Sequence, residues 1–228
     1  MEFSVNKFKG SQFPSEIILQ NIYCYLRYSL SYRDLEEMAQ ERGLDVDHST
    51  IQRWVVKYWL EIESNFRKNK KQVSGSWRMD ETYVKVNGKW KNLYRAVDKE
   101  GNTIDYLLRA RRNKKAAWKF FNKAIDSNGV PDKINIDKSG SNKAGIGGYN
   151  QENGTLIEIR QCKYLNNIVE QDHRFIKRII RPMLGFKSFL SASITLAGIE
   201  VVRMLKKNQL LKRKYFASSF DQFCWLAQ

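Results

Sequence analysis

Three acids in this 228-residue chain, Asp80, Asp137 and Glu170, have surroundings suited to holding a metal ion. Asp80 lies inside the alternating run RMDETYVKV, and Asp137 ends the short apolar run INID, just before the small residues of KSGSN. Glu170 lies in NNIVEQDHRFIKRII, a helical pattern that Pro182 terminates. There Glu170, His173, Arg174, Lys177 and Arg181 share one stripe, because offsets near three, four, seven and eleven return to the same helical face. Val169, Ile176, Ile179 and Ile180 make the apolar stripe opposite.

Gathered carboxylates repel and raise one another's pKa unless a cation neutralises them. Hard divalent ions such as Mg²⁺ take oxygen ligands, and a close pair of them activates an attacking oxygen and stabilises the leaving one during displacement at phosphorus. With two histidines and no HxxxH pairing, the chain does not look like a zinc hydrolase. Each acid also has a plainer role open to it. Asp80 and Glu81 read equally as edge-strand charges, Asp137 as a turn residue and Glu170 as a surface partner of Arg174.

The elements that must position these acids fall into two kinds. Up to residue 66 the pattern is helical. A first helix starts at Ser15 after Pro14, with Ile18, Ile22, Tyr25 and Leu26 on one face. A second opens at Ser31, with Asp34 completing a capping box, and stops at Gly43. A third starts at residues 47–49 and carries Ile51, Trp54, Val55 and Tyr58 inward. The second and third make a helix-turn-helix whose reading turn would be His48, Ser49, Thr50, Gln52 and Arg53, with Gln suited to adenine and Arg to guanine; a plain three-helix bundle is the alternative. Residues 67–76, RKNKKQVSGS, read as a basic linker.

Beyond the linker the pattern becomes extended. Strands are expected at 77–86, 90–97 and 103–108, the first two joined by the hairpin turn Asn87-Gly88. A helix at 113–126 and a short buried strand at 134–137 complete an α/β sheet. After Phe186, LSASITLAGIEVVRMLKKNQ reads as a final core helix in which Glu200 is structural, and the aromatic tail 211–228 says nothing about chemistry.

Forty Lys and Arg against twenty-four Asp and Glu give +16, a field that concentrates polyanions, so nucleic acid is the expected partner. No basic amphipathic helix with a broad apolar face suggests membrane binding instead. Neither a membrane span nor a signal-peptide pattern stands out, and the odd, scattered cysteines Cys24, Cys162 and Cys224 suggest neither disulfides nor a zinc ribbon. A cytoplasmic location is the default expectation.

The segments SYRDLEEMAQERGLDVDHSTIQRWV, MDETYVKVNGKWKNLYRAVDKEGNTIDYLLRARRNKKAA, INIDKSGSNKA and KYLNNIVEQDHRFIKRI, in that order, closely resemble bacterial insertion-sequence transposases of the DDE class, family six. The resemblance implies an RNase H-like mixed sheet flanked by helices, preceded by an all-α helix-turn-helix domain. It matches Asp80, Asp137 and Glu170 to the family's catalytic and metal-holding triad, and Lys177 to a basic position that contacts DNA near the cut. Arg174 and Arg181 are expected to join Lys177 on the DNA.

Two Mg²⁺ ions, with Mn²⁺ as a substitute, would then serve 3′-end cleavage and strand transfer, giving replicative cointegrates. The partners would be terminal inverted repeats, target duplex and further copies of the chain. The expected division is 1–66 for DNA binding, 67–76 as linker, 77–210 for catalysis and 211–228 as tail. A repressor that has lost catalysis is disfavoured by the intact acids, and a nuclease that cuts without joining would not need the N-terminal reading helices.

The segment between the second and third acids departs from the family pattern. The interval from Asp137 to Glu170 is 170 − 137 = 33 positions, slightly short for the family, and AGIGGYN places three glycines where a helix belongs. At a cost of about 1 kcal/mol per glycine relative to alanine, this helix is expected to be weakened or partly irregular.

Overall fold

The computed structural model describes residues 8–211 and 216–228. Residues 1–7 and 212–215 of the tail lie outside the described residues. The chain divides into two compact units, Met1–Lys71 with Arg178–Leu184 and Leu190–Gln228, and Gln72–Lys177 with Gly185–Phe189.

The first unit is helical. Helices α1 (Ser15–Arg27), α2 (Tyr32–Gln40) and α3 (His48–Lys68) form where the periodicity places them. The Ser31–Asp34 capping box closes the start of α2, and the Asp47 carboxylate accepts the Ser49 amide at 2.8 Å to start α3. Their apolar faces, Ile18, Ile22 and Leu26 on α1 and Ile51, Trp59 and Phe66 on α3, are fully buried.

Helix α7 (Phe189–Lys206) joins this unit, and so does α8 (Ser219–Leu226), which the Ser218–Asp221 capping box starts. A Cβ on Gly198 would lie 2.3 Å from a Leu26 methyl, so α7 approaches α1 as closely as only glycine permits. The sequence pattern reads α7 as the closing helix of the catalytic domain; by packing it groups with the N-terminal helices, and its buried residues run nearly all round it. Likewise the tail 211–228 contains a buried helix carrying Phe223 and Leu226.

The second unit is a five-stranded mixed sheet, order β3-β2-β1-β4-β5, flanked by helices, the architecture expected of an RNase H-like core. Strands β1 (Ser76–Val86), β2 (Lys89–Asp98) and β3 (Thr103–Arg109) run antiparallel. Asn87 and Gly88, at φ 48° and 71°, make the left-handed pair that a two-residue hairpin requires. After α4 (Lys114–Asn128), β4 (Lys133–Asn135) lies parallel to β1, and β5 (Glu158–Arg160), unforeseen in sequence, lies parallel to β4. The core under one face gathers Trp77, Met79, Tyr94, Phe120, Ile134 and Ile146. Helix α6 (Asn167–Ile180) follows, with Val169, Ile176 and Ile179 buried as expected. Among the described residues no helix is long and apolar enough to cross a membrane.

The glycine-rich segment corrects the expectation of irregularity, since α5 runs unbroken from Gly140 to Asn153. A Cβ on Gly145 would meet the Ala117 Cβ at 2.9 Å and the Trp118 amide nitrogen at 3.2 Å, so this glycine lets α5 lie against the backbone of α4. Tertiary packing offsets the propensity cost there. Gly147 is exposed, and a Cβ added to it would meet nothing within 4 Å. Gly147→Ala should therefore raise stability, by up to about 1 kcal/mol, whereas Gly145→Ala should lower it. Denaturant unfolding followed by circular dichroism distinguishes the two, and equal effects would contradict the packing account.

Candidate functional site

Register brings two of the three acids together. Parallel pairing sets Arg78 opposite Asn135, and continuing by two residues on each strand (78 + 2 = 80, 135 + 2 = 137) sets Asp80 beside Asp137. One carboxylate oxygen each from Asp80, Glu81 and Asp137 lies within 4.8 Å of the others. The third acid of this cluster is thus Glu81, while Glu170 stands on α6 with its side chain exposed and outside that distance.

Glu81 is committed elsewhere. Arg112, between β3 and α4, donates through Nε to its Oε1 at 3.2 Å and through Nη2 to its Oε2 at 3.3 Å. The same Nη2 reaches Asp137 Oδ2 at 3.1 Å. Burial pushes the Glu81 carboxyl above its usual range, and the Arg112 guanidinium and the Asn142 side chain on α5 oppose that rise. The other Asp137 oxygen accepts the Ser139 amide at 3.1 Å, which turns the chain into α5.

On the opposite face of β1, Asp80 meets α6. Its Oδ2 lies 3.3 Å from His173 Nε2. Arg95, the cross-strand partner of Asp80, is fully buried; it donates to Asp172 Oδ2 at 2.6 Å and approaches His173 Nδ1 at 3.4 Å. A guanidinium only donates, so Nδ1 facing it is an acceptor, and the ring proton belongs on Nε2, toward Asp80. His173, expected on the exposed stripe of α6, is thus buried with Asp172, while Glu170, one turn earlier, is exposed at the edge of that face.

The start of α6 is tied down by amides. Asn135 Nδ2 donates to Asn166 Oδ1 at 2.6 Å and to the Cys162 carbonyl at 2.9 Å, and Asn166 Nδ2 reaches the Met79 carbonyl at 3.3 Å. Sequence reasoning missed Glu81, Arg95, Arg112, Asn135, Asn142, Asn166 and Asp172. Arg95 alone has a signal, a cation interrupting the apolar run of NLYRAV.

The residues expected to touch DNA are placed as follows. Ser49, Gln52 and Arg53 lie at the start of α3, with Gln52 and Arg53 exposed, while Thr50 accepts from Arg53 Nη2 at 2.8 Å. His48 is half-buried, its Nδ1 3.0 Å from Glu36 Oε2. Of the α6 cations, Arg174 and Lys177 are exposed, and Arg181 follows on the next turn, also exposed.

Comparison with known proteins adds lineage to this geometry. A family model for the DDE domain of the IS240 type matches residues 74–209. The chain is 40% identical over 207 residues to the transposase for the insertion sequence-like element IS431mec of Staphylococcus aureus strain N315, covering 90% of this chain and 91% of that one. It is equally similar, by identity and coverage, to the transposase for insertion sequence element IS257 in transposon Tn4003 of the same species. Among solved structures, the catalytic core of HTLV-2 integrase with magnesium overlays 50% of this chain and 75% of its own at 18% identity and a TM-score of 0.41. The core of BIV integrase overlays 55% and 82%, at 18% identity and a TM-score of 0.43.

The buried Arg95–Asp172 pair generates a stability prediction. Arg95→Met takes the guanidinium away from a buried carboxylate and should cost about 3–5 kcal/mol, whereas Arg174→Met on the exposed face of α6 should stay within about 0.5 kcal/mol. Chemical denaturation measures both, and a small loss for Arg95→Met would show the pair to be dispensable.

Proposed function

Because this chain belongs to the DDE transposases of bacterial insertion sequences, which are metal-dependent polynucleotidyl transferases, we propose that Asp80, Asp137 and Glu170 form its metal-holding catalytic triad. The observation that supports this reading is the pairing of Asp80 with Asp137 across parallel strands, with His173, one turn after Glu170 on α6, 3.3 Å from Asp80. The Glu81 side chain is largely buried and doubly bonded to Arg112, so its place is that of a charge partner, leaving Glu170 as the exposed third acid.

The donor set fits Mg²⁺ or Mn²⁺: carboxylate oxygens at a sheet edge, with the nearby imidazole turned by Arg95 so that its protonated nitrogen faces Asp80. Two such ions would be shared by Asp80, Asp137 and Glu170. When bound, they supply Lewis-acid stabilisation of charge at phosphorus and a nucleophilic oxygen at neutral pH. The chain's own residues do the positioning. Arg95 and His173 restrain Asp80, Ser139 and Arg112 restrain Asp137, and Asn135 and Asn166 fix the root of the helix bearing Glu170.

In this reading α2 and α3 act as a helix-turn-helix that presents Ser49, Gln52 and Arg53 to the bases of the terminal inverted repeats, with His48 and Thr50 supporting that turn. Arg174, Lys177 and Arg181 hold phosphates near the cut, and the +16 charge gathers the duplex. The products are a 3′-hydroxyl end and its transfer into target DNA, giving replicative cointegrates. Joining two element ends calls for a homo-oligomer, working in the bacterial cytoplasm at the nucleoid.

Incubation with a labelled terminal-repeat duplex and a plasmid target tests the whole. Joined product should appear with Mg²⁺, vanish with EDTA and fall by at least about 100-fold in Asp80→Asn, Asp137→Asn and Glu170→Gln. Variants that join as well as the parent chain would refute the triad. Arg53→Ala should keep joining but lose preference for repeat over random duplex, and unchanged preference would remove Arg53 from the reading turn.

A further inference from the structure

We propose that the exposed face of the β1–β2 hairpin is a stacking platform for unpaired nucleotides at the DNA end being processed. Strand alternation puts Glu81, Tyr83 and Lys85 on one face of β1. Register places Asn92 opposite Tyr83, Trp90 opposite Lys85, and Arg109 of β3 opposite Asn92, so all of them share that face. Tyr83 is 56% exposed and Trp90 65%. The face therefore runs from Glu81, the member of the acid cluster on this side of β1, through two open aromatic rings to the hairpin turn; Tyr83 stands only about 7 Å along the strand from Glu81, whose carboxylate is within 4.8 Å of those of Asp80 and Asp137.

These rings are not exposed through fraying. The 185–187 segment clamps the hairpin, Phe186 donating its amide to the Lys85 carbonyl at 2.9 Å and accepting from the Asn87 amide at 2.7 Å. A rigid strand holding two solvent-facing aromatics gives each ring a fixed orientation at little entropic cost, which is what a sequence-tolerant base-stacking surface needs. Lys85 beside Trp90 and Arg109 beside Asn92 put positive charge on the face of the rings, while Lys89 and Lys91, opposite Val86 and Val84, belong to the other face. That charge complements phosphates and repels the same face of a second copy, so the occupant is a nucleic-acid strand. The platform's value depends on the reading above, because only a strand end seated at the acids brings bases alongside it.

Fluorescence anisotropy with the full chain provides the test, comparing a blunt duplex of random sequence with the same duplex carrying a short oligothymidine 3′ tail. The parent chain should bind the tailed duplex about tenfold more tightly. Trp90→Ala should erase that preference while holding blunt-duplex affinity within about twofold, and Trp90→Phe should restore most of it. Tyr83→Ala should weaken it in the same direction. Equal binding of both duplexes by the parent, or a preference that survives Trp90→Ala, overturns the platform alone. Binding of neither duplex overturns the DNA-processing reading and the platform with it. A change in molecular mass of Trp90→Ala by light scattering would assign the face to a protein partner and overturn the proposal as well.

Discussion

Carboxylate oxygens of Asp80, Glu81 and Asp137 held within 4.8 Å repel one another, and the second unit is arranged around containing that repulsion. Two strands must run parallel and in one register for the acids to meet at all. Arg112 offsets charge on one face of β1, where burial already holds Glu81 toward its neutral form. On the other face the buried Arg95, fixed by Asp172, orients His173 toward Asp80. The cluster is therefore flanked on both sides by guanidinium groups of different character: Arg112 is partly open to solvent, whereas Arg95 is sealed in.

The same constraint explains why the helices around the sheet take the forms they do. α5 must leave Asp137 through a tight turn and then pass close to α4, and Gly145 makes that approach feasible. α6 brings His173 to Asp80, and the Asn135–Asn166 amide pair sets where the helix begins. Glycines that on propensity alone weaken the helix between the second and third acids are, at Gly145, part of what lets the second acid reach its place.

Much of this is legible in the residues. Capping boxes and apolar periodicity locate α1, α2, α3 and α6 closely, and the Asn87-Gly88 turn sets the register of β1 against β2. Local patterns carry that information because caps and turns act within a few residues. What escapes is non-local. β5 has only three residues, too short a stretch of the alternating IEIR to stand out as a strand, and α7 resembles a core helix of either unit until Gly198 is seen against Leu26. Neighbouring motifs single out the acids proposed as the triad, yet the cations and amides that surround the cluster lie far away in sequence, as Arg112 does from Glu81 and Asn166 from Met79. Buried charge pairing leaves no periodic trace.

The central question is which acid completes the metal set, Glu170 on α6 or Glu81 beside Asp80. Titration of Mn²⁺ into the purified chain, read by electron paramagnetic resonance as free ion is depleted, addresses that directly without DNA or turnover. Asp80→Asn and Asp137→Asn should lose binding, Glu170→Gln should weaken it by about tenfold or more, and Glu81→Gln should leave it nearly intact. Loss of binding in Glu81→Gln together with unaltered binding in Glu170→Gln would contradict the account and make the compact cluster itself the metal site.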